Sequence, residues 1–207
     1  MELNRRDLLY KCMALGAIQL GAGLTPPLAV AAWMQADKKA LRPTPIDQLG
    51  PFYKKGSPHT AMLRRPGDPG LALAVAGAVY DTRGNALPGA KVEVWQTNHA
   101  GSYDLSGYRY RATLIAGSNG QYDFQSVIPG HYPARVCQHI HFLVRAAGQK
   151  PLVTQMYFAS DPVFKGDPAK NPNADCPSIE LVRPILLKDQ PDTMTASATF
   201  ELVMEAL

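Results

Sequence analysis

Leu71-Ala72-Leu73-Ala74-Val75-Ala76-Gly77-Ala78-Val79-Tyr80 is the stretch that decides the fold class. Leu71, Leu73, Val75, Gly77 and Val79 fall on every second position, the period of a strand with one face toward a core. Asp81-Thr82-Arg83-Gly84-Asn85 then supplies a turn. Working outward, Lys91 to Thr97 places Val92 and Val94 on one face and Trp95 on the other. Asn119-Gly120 predicts a tight hairpin turn into a strand from Tyr122 to Val127. His139 to Arg145, Leu152 to Phe158, Ile179 to Leu187 and Met194 to Met204 read as further short strands. No helical period of two turns or more follows residue 70. About seven or eight short strands at this spacing predict an all-β protein, an antiparallel β-sandwich.

The 207 residues are 46% hydrophobic and 18% charged, with 17 Gly and 18 Pro, which suits a globular domain and excludes a coiled coil, collagen or a multi-span membrane protein. The formal charge of +4 comes from 21 Lys+Arg against 17 Asp+Glu, with no basic run longer than two residues. That is too thin for a nucleic-acid partner, which needs clustered cations on one face. Nine Tyr and five His against two Trp are the compositional detail with chemistry in it.

Residues 1–31 read as a segment apart. Asn4-Arg5-Arg6-Asp7-Leu8-Leu9 precedes an apolar run from Cys12 to Leu24, then Pro26-Pro27 and the small-residue site Ala29-Val30-Ala31. The run is short of the ~20 residues that span a bilayer, so no stable membrane insertion is expected. The segment resembles a twin-arginine signal, which implies the Tat export machinery as a partner and a periplasmic or secreted destination. Its removal takes three Lys/Arg and two Asp/Glu, leaving 18 against 15, or +3. Residues 32–70 carry Pro43, Pro45, Pro51, Pro58, Pro66 and Pro69, which argue against a long helix and predict an extended N-terminal arm. Residues 71–207 are the expected β-sandwich catalytic domain.

Chemistry is expected where unusual side chains interrupt the strand pattern. In His139-Ile140-His141-Phe142 both imidazoles share one strand face, while Ile140, Phe142 and Val144 share the other. A His-x-His pair at that spacing suits zinc, copper or iron alike, or simply a polar, solvent-facing strand. Pro129-Gly130-His131-Tyr132-Pro133 puts a tyrosine on a turn before that strand. Ala100-Gly101-Ser102-Tyr103 puts another on the loop after Trp95, with Tyr108, Tyr110 and Tyr122 as competitors. In the order Val92-Glu93-Val94-Trp95-Gln96-Thr97-Asn98, Gly101-Ser102-Tyr103, Pro129 to Pro133, His139 to Phe142 and Thr154-Gln155-Met156-Tyr157-Phe158, the chain resembles the intradiol ring-cleavage dioxygenases. Upstream, Thr44-Pro45 and Gly50-Pro51-Phe52-Tyr53 extend the resemblance.

The resemblance implies one mononuclear non-haem Fe(III) ion held by Tyr103, Tyr132, His139 and His141. Two hard phenolate oxygens stabilise ferric over ferrous iron, and a trivalent cation makes the phenolate the favoured form of a group that otherwise titrates near ~10. It implies a small aromatic diol and dioxygen as partners, and cleavage between the two hydroxyl-bearing carbons to a cis,cis-muconate-type diacid. Tyr132 is the implied labile ligand and base, and Tyr103 the ligand that stays. Gln155 matches a glutamine that orients hydroxide or substrate, or else makes a cross-strand hydrogen bond. Where the family has an arginine, three residues before the first histidine, this chain has Val136. Arg135 then either reaches the site through a bulge or makes a surface salt bridge.

Cys137 and Cys176 are the cysteines that remain beyond residue 31, and an oxidising compartment favours a disulfide between them. Closing that loop would contribute roughly 4 kcal/mol on the loop-entropy model. Two free buried thiols are the competing reading. The alternatives to a dioxygenase are an exported copper-binding sandwich, which wants a third His or a Met, and a transthyretin-like non-catalytic sandwich. Size favours a protocatechuate-type subunit over a catechol-type one, because residues 32–70 are too few for a helical dimerisation region. Arg64, Arg65, Arg109 and Arg111 are then candidates to receive a carboxylate. A homo-oligomer is compatible with the arm as a contact element.

Overall fold

The computed structural model describes residues 40–190 and 193–207, so the twin-arginine segment and its boundary at residue 31 lie outside the described residues. Ten strands are formed among the described residues: β1 Ala72–Asp81, β2 Lys91–Trp95, β3 Arg111–Ile115, β4 Gln121–Val127, β5 His139–Arg145, β6 Leu152–Phe158, β7 Val182–Arg183, β8 Leu186–Gln190, β9 Thr193–Thr199 and β10 Leu202–Met204. One sheet runs β10-β1-β9-β8 with β4 on the other side of β1; the second runs β3-β2-β5-β6-β7. Only two single-turn 3-10 helices, Pro162–Phe164 and Ile179–Leu181, occur among the described residues.

The alternation read from sequence builds the core. Val92 and Val94 of β2, Ile140, Phe142 and Val144 of β5, and Met156 and Phe158 of β6 face Leu73, Val75 and Val79 of β1, Tyr122 and Phe124 of β4, and Leu202 of β10. All are buried, as packing of two sheets face to face requires.

Four expectations need correction. The sandwich is mixed rather than antiparallel: β1 pairs in parallel with both β9 and β10, and β6 with β7. The Asn119-Gly120 turn is not a hairpin, because β3 and β4 belong to different sheets and the turn carries the chain between them. The stretch from Ile179 to Leu187 is not one strand. It opens as a 3-10 turn, and the break between β7 and β8 falls at Pro184, which has no N–H to donate. The stretch from Met194 to Met204 divides at Phe200, whose carbonyl leaves the ladder to accept the Tyr122 hydroxyl at 2.5 Å. Strand β3 was hidden from the sequence reading because its outer residues, Arg111 and Thr113, are polar yet buried.

Residues 40–70 explain that burial. They contain no helix and no named strand, but they are tied to the body along their length. Thr44 N donates to Val203 O at 3.0 Å, Asp47 N to Val153 O at 2.9 Å, Thr113 N to Pro58 O at 2.8 Å and Leu63 N to Gln125 O at 2.8 Å. The segment therefore crosses the outer face of the second sheet from β6 to β3. Beneath it, Arg111 Nη1 donates to Phe52 O at 2.6 Å, and the Ser57 and Thr113 hydroxyls are bonded at 2.8 Å. A sheet face that reads as solvent-facing is thus enclosed.

Where β1 meets the Phe200 bend there is no room for a side chain. A Cβ on Gly77 would lie 2.0 Å from the Phe200 carbonyl oxygen and 2.8 Å from the Tyr122 hydroxyl. Both neighbours are held by the core, so relief requires backbone movement. Gly77→Ala is expected to lower unfolding stability by about 2 kcal/mol, as overpacking does, read as a lower midpoint in urea with an unchanged slope.

Candidate metal centre

Strand β5 carries the two imidazoles outward from the core, under the arm. His139 and His141 are 4% and 1% exposed, which removes the reading of a solvent-facing strand. In register, His139 stands opposite Tyr157 and His141 opposite Gln155 on β6, while on the other side His141 stands opposite Trp95 of β2. Directly opposed residues share a sheet face. The Trp95 indole accordingly stacks on the His141 ring, with centroids 4.8 Å apart and planes within 4°.

The two tyrosines arrive from loops. After β2 the chain turns at Asn98, whose Oδ1 accepts from Ala100 N at 3.0 Å and Ser102 N at 2.9 Å, and Tyr103 follows. The Tyr132 turn is clamped against that loop: Gly130 N donates to Asn98 O at 2.8 Å, and Thr97 Oγ1 to Gly130 O at 2.9 Å. Contact is main chain to main chain, for a Cβ on Gly101, where φ is +80°, would sit 1.8 Å from the His131 carbonyl oxygen. On the far side, buried Asp161 accepts from His131 Nε2 at 2.9 Å and from Gln138 N at 2.7 Å. One carboxylate thus spans the residues before Tyr132 and before His139.

These supports bring all four rings together. His141 Nε2 lies 3.1 Å from the Tyr103 hydroxyl, and ring centroids are 5.5 Å apart for Tyr103 and Tyr132, 5.7 Å for Tyr132 and His139, and 4.8 Å for His139 and His141. Phe52 of the arm stacks on Tyr103 at 4.2 Å and meets Tyr132 edge-on at 5.9 Å. By contrast, the competing tyrosines have structural partners. Tyr108 donates to Lys55 O at 2.8 Å, Tyr110 to Asp68 Oδ2 at 3.0 Å, and Tyr122 to Phe200 O.

The donor chemistry fits a metal. His139 Nδ1 lies 2.7 Å from the Cys137 carbonyl, which only accepts, so Nδ1 carries the proton and Nε2 presents a lone pair. That Nε2, buried, has no hydrogen-bond partner, nor has His141 Nδ1. An orphaned buried donor or acceptor is costly unless something else occupies it. Burial pushes His139 down to about 4, and burial together with the neighbouring His139 pushes His141 well below the ordinary range. Both imidazoles are therefore neutral, the form that ligates. Burial raises both phenols, Tyr103 further than Tyr132, and Arg135 opposes the rise at each. Phenolates here need a cation. Among the described residues no group of three or more His, Cys, Asp and Glu converges, so a third side chain of those types does not join the His pair.

Arg135 is largely enclosed and does both: it turns toward Tyr157 and pairs with Asp175, Nε to Oδ1 at 4.0 Å. Its Nη2 donates to the Tyr157 hydroxyl at 2.6 Å and to the Asp175 carbonyl, while Val136 is exposed. Gln155 Nε2 donates to Gln48 O at 2.8 Å and its Oε1 lies 3.2 Å from the Tyr157 hydroxyl, so this amide ties the arm to the histidine strand. Tyr157 also donates toward Asp47 Oδ2 at 2.7 Å. Sequence reasoning missed Tyr157, Asp47 and Phe52. Strand parity would have found Tyr157, two residues beyond Gln155; nothing local marks the arm residues. Arg109 is engaged by Asp68 at 2.6 Å and Arg111 by main-chain carbonyls, so neither is free for a carboxylate.

The expected Cys137–Cys176 disulfide is not formed; both are free thiols. Burial pushes Cys137 up to about 12 and Cys176 up to about 11, and the Cys176 thiol donates to Ser178 O at 3.4 Å. The thiolate that disulfide exchange requires is thereby suppressed.

A two-sheet sandwich with two imidazoles and two phenols converging under an N-terminal arm defines the class. A family model described as Dioxygenase matches residues 49–206, and the chain belongs to that family, the intradiol dioxygenases. It is 33% identical over 191 residues to catechol 1,2-dioxygenase of Pseudomonas sp. (strain EST1001), covering 74% of this chain and 62% of that protein. It is 32% identical over 145 residues to hydroxyquinol 1,2-dioxygenase of Nocardioides simplex, covering 58% and 48% respectively. The chain thus spans about three-fifths or less of the length of these curated relatives. Among solved structures, the dioxygenase domain of a dioxygenase carbohydrate-binding protein fusion from Streptomyces sp. SirexAA-E is similar at 29% identity and a TM-score of 0.68, over 80% of this chain and 100% of that one. The 3-chlorocatechol 1,2-dioxygenase of Rhodococcus opacus 1CP shares the fold at 19% identity and a TM-score of 0.69, over 86% and 78%.

The histidines set a pH dependence. Between about 6.5 and about 4 the unfolded chain binds protons that buried His139 does not, and His141 extends that window lower. Their contribution to stability is complete above the unfolded value and lost as pH falls. Urea unfolding of chelator-treated protein is therefore expected to show a lower midpoint at pH 4.5 than at pH 7, with His139→Gln reducing the difference.

Proposed function

We propose that the protein is a non-haem ferric intradiol dioxygenase acting on a small catechol-type diol. It is taken to cleave the ring between the hydroxyl-bearing carbons with dioxygen, giving a cis,cis-muconate-type diacid. Tyr103, Tyr132, His139 and His141 would hold one Fe(III) ion per chain. The observation that carries this reading is the unpartnered Nε2 of buried His139, in a cluster with a second neutral imidazole and two half-buried phenols. Ferric iron so held would supply a Lewis acid for the diol.

The chain's residues divide the remaining work. Tyr103 is stacked on Phe52, bonded to His141 and faced by Arg111 at 5.8 Å, which suits a ligand that does not move. Tyr132 makes edge and tilted ring contacts and a side-chain hydrogen bond with Tyr103, and lies beside Arg135, whose charge supports its phenolate. It would be the residue to take a proton from one substrate hydroxyl. Arg135 would also stabilise negative charge developing on the ring oxygens. Trp95 covers one face of His141, Tyr53 backs Trp95, and Phe52 covers the Tyr103 ring. The paired arginines at Arg5-Arg6 and the Ala29-Val30-Ala31 site support export by the twin-arginine route to the periplasm or medium.

Purified protein supplied with ferric salt is expected to take up one iron per chain, to show a tyrosinate-to-iron visible band, and to consume oxygen with a catechol. Tyr132→Phe should shift the band and lower turnover by about 100-fold or more. A folded protein that stays colourless and iron-free would refute the reading. Mass analysis of exported protein should place its start near Ala32.

A further inference from the structure

We propose that Arg111 is the positioning residue and counter-charge of Tyr103: its guanidinium clamps the Tyr103 loop to Phe52 and stabilises Tyr103 as a phenolate. The inference rests on the ferric site proposed above and adds to it a residue outside the four candidate ligands.

Arg111 opens β3, where the register sets it opposite Trp95 of β2, which in turn stands opposite His141 of β5. Directly opposed residues share a sheet face, so the three form a row across the outer face beneath the arm. From that row Arg111 Nη1 donates to Phe52 O at 2.6 Å and Nη2 to Asp104 O at 3.2 Å. Phe52 is the ring stacked on Tyr103, with centroids 4.2 Å apart and planes within 20°, and Asp104 is the residue after Tyr103. One planar fork thus holds main chain on both sides of the stacked pair, and its Cζ lies 5.8 Å from the centre of the Tyr103 ring. A lysine has the charge but not the fork.

The charge of Arg111 is left without an acid. The residue is 3% exposed, its hydrogen bonds among the described residues go to two neutral carbonyls, and its Nε has no partner. Asp104, the acid nearest in the chain, spends its carboxylate on the main-chain N–H groups of Ser106, Gly107 and Arg109. An arginine cannot shed its proton in a protein, and a buried charge without a counter-ion is costly. Burial opposes the charge on Arg111, and Tyr103 is the neighbour that most favours it. A phenolate at Tyr103 supplies the missing anion, so a cation that takes Tyr103 in this form also completes the surroundings of Arg111. The other phenol is placed differently. Arg135, the cation beside Tyr132, is shared with the Tyr157 hydroxyl and the Asp175 carboxylate.

In the iron-loaded Tyr132→Phe chain, Tyr103 is the candidate phenolate that remains, so the visible band reports on it. Adding Arg111→Gln removes the charge and raises the energy of the phenolate electrons, and the band is expected to move to longer wavelength. Loss of hydrogen bonds made by a charged group should also speed iron release to a chelator by about tenfold. Arg111→Lys keeps the charge without the fork, so the band should hold its position while iron release is still faster. That variant carries the test if Arg111→Gln does not fold, and the otherwise unaltered chain serves if Tyr132→Phe takes up no iron. A band that loses intensity in Arg111→Gln with its position unchanged, or iron release unmoved in folded Arg111→Lys, overturns this inference and leaves the ferric site standing. Absence of any tyrosinate band in the unaltered chain overturns the proposed function and this inference with it.

Discussion

Strand β5 is buried on both faces, and everything at the candidate centre depends on that constraint. Its inner residues, Ile140, Phe142 and Val144, are locked into the sandwich core with the phenylalanines of the opposite sheet. Its outer residues are imidazoles, which can be enclosed only if their nitrogens find partners. One nitrogen of His139 is answered by the Cys137 carbonyl and one of His141 by the Tyr103 hydroxyl. The others are left buried without a hydrogen bond. The rigid inner face therefore holds the unanswered Nε2 of His139 beside the Tyr132 ring and the second imidazole, as a metal site on a strand requires.

The arm converts that strand face into an enclosure. Asp47, Gln48, Phe52, Tyr53 and Ser57 each contact a group on the outer face of the second sheet or a candidate ligand. This cover lowers the local dielectric, which explains why both imidazoles are neutral and both phenols protonated without a cation. It also brings Asp47 to the Tyr157 hydroxyl, so a segment without regular structure shapes the surroundings of the histidine strand.

Strand periodicity was enough to locate β1, β2, β4, β5 and β6 to within two residues, because side chains alternate on a fixed pleat. It failed for β3, whose outer Arg111 and Thr113 are buried by the arm, and at Pro184 and Phe200, where one missing N–H and one diverted carbonyl break a continuous run. Parallel pairing of β9 and β10 with β1 was equally invisible, since pairing partners lie more than a hundred residues apart. Face parity was sufficient to put His139 and His141 together, and Trp95 opposite the core. It could not say whether that outer face met water.

What the amino-acid sequence determined by itself was the β class, the shared face of the two histidines and the ordered motifs that place Tyr103 and Tyr132 in the same family pattern. These are properties of residue type and spacing, which local stereochemistry translates directly. The tertiary structure alone decided that the tyrosine loops touch main chain to main chain at Gly101, that Arg135 turns inward to Tyr157, and that Asp47 stands beside it. Each is a contact between segments distant in the chain, set by packing and burial rather than by any local preference of the residues involved.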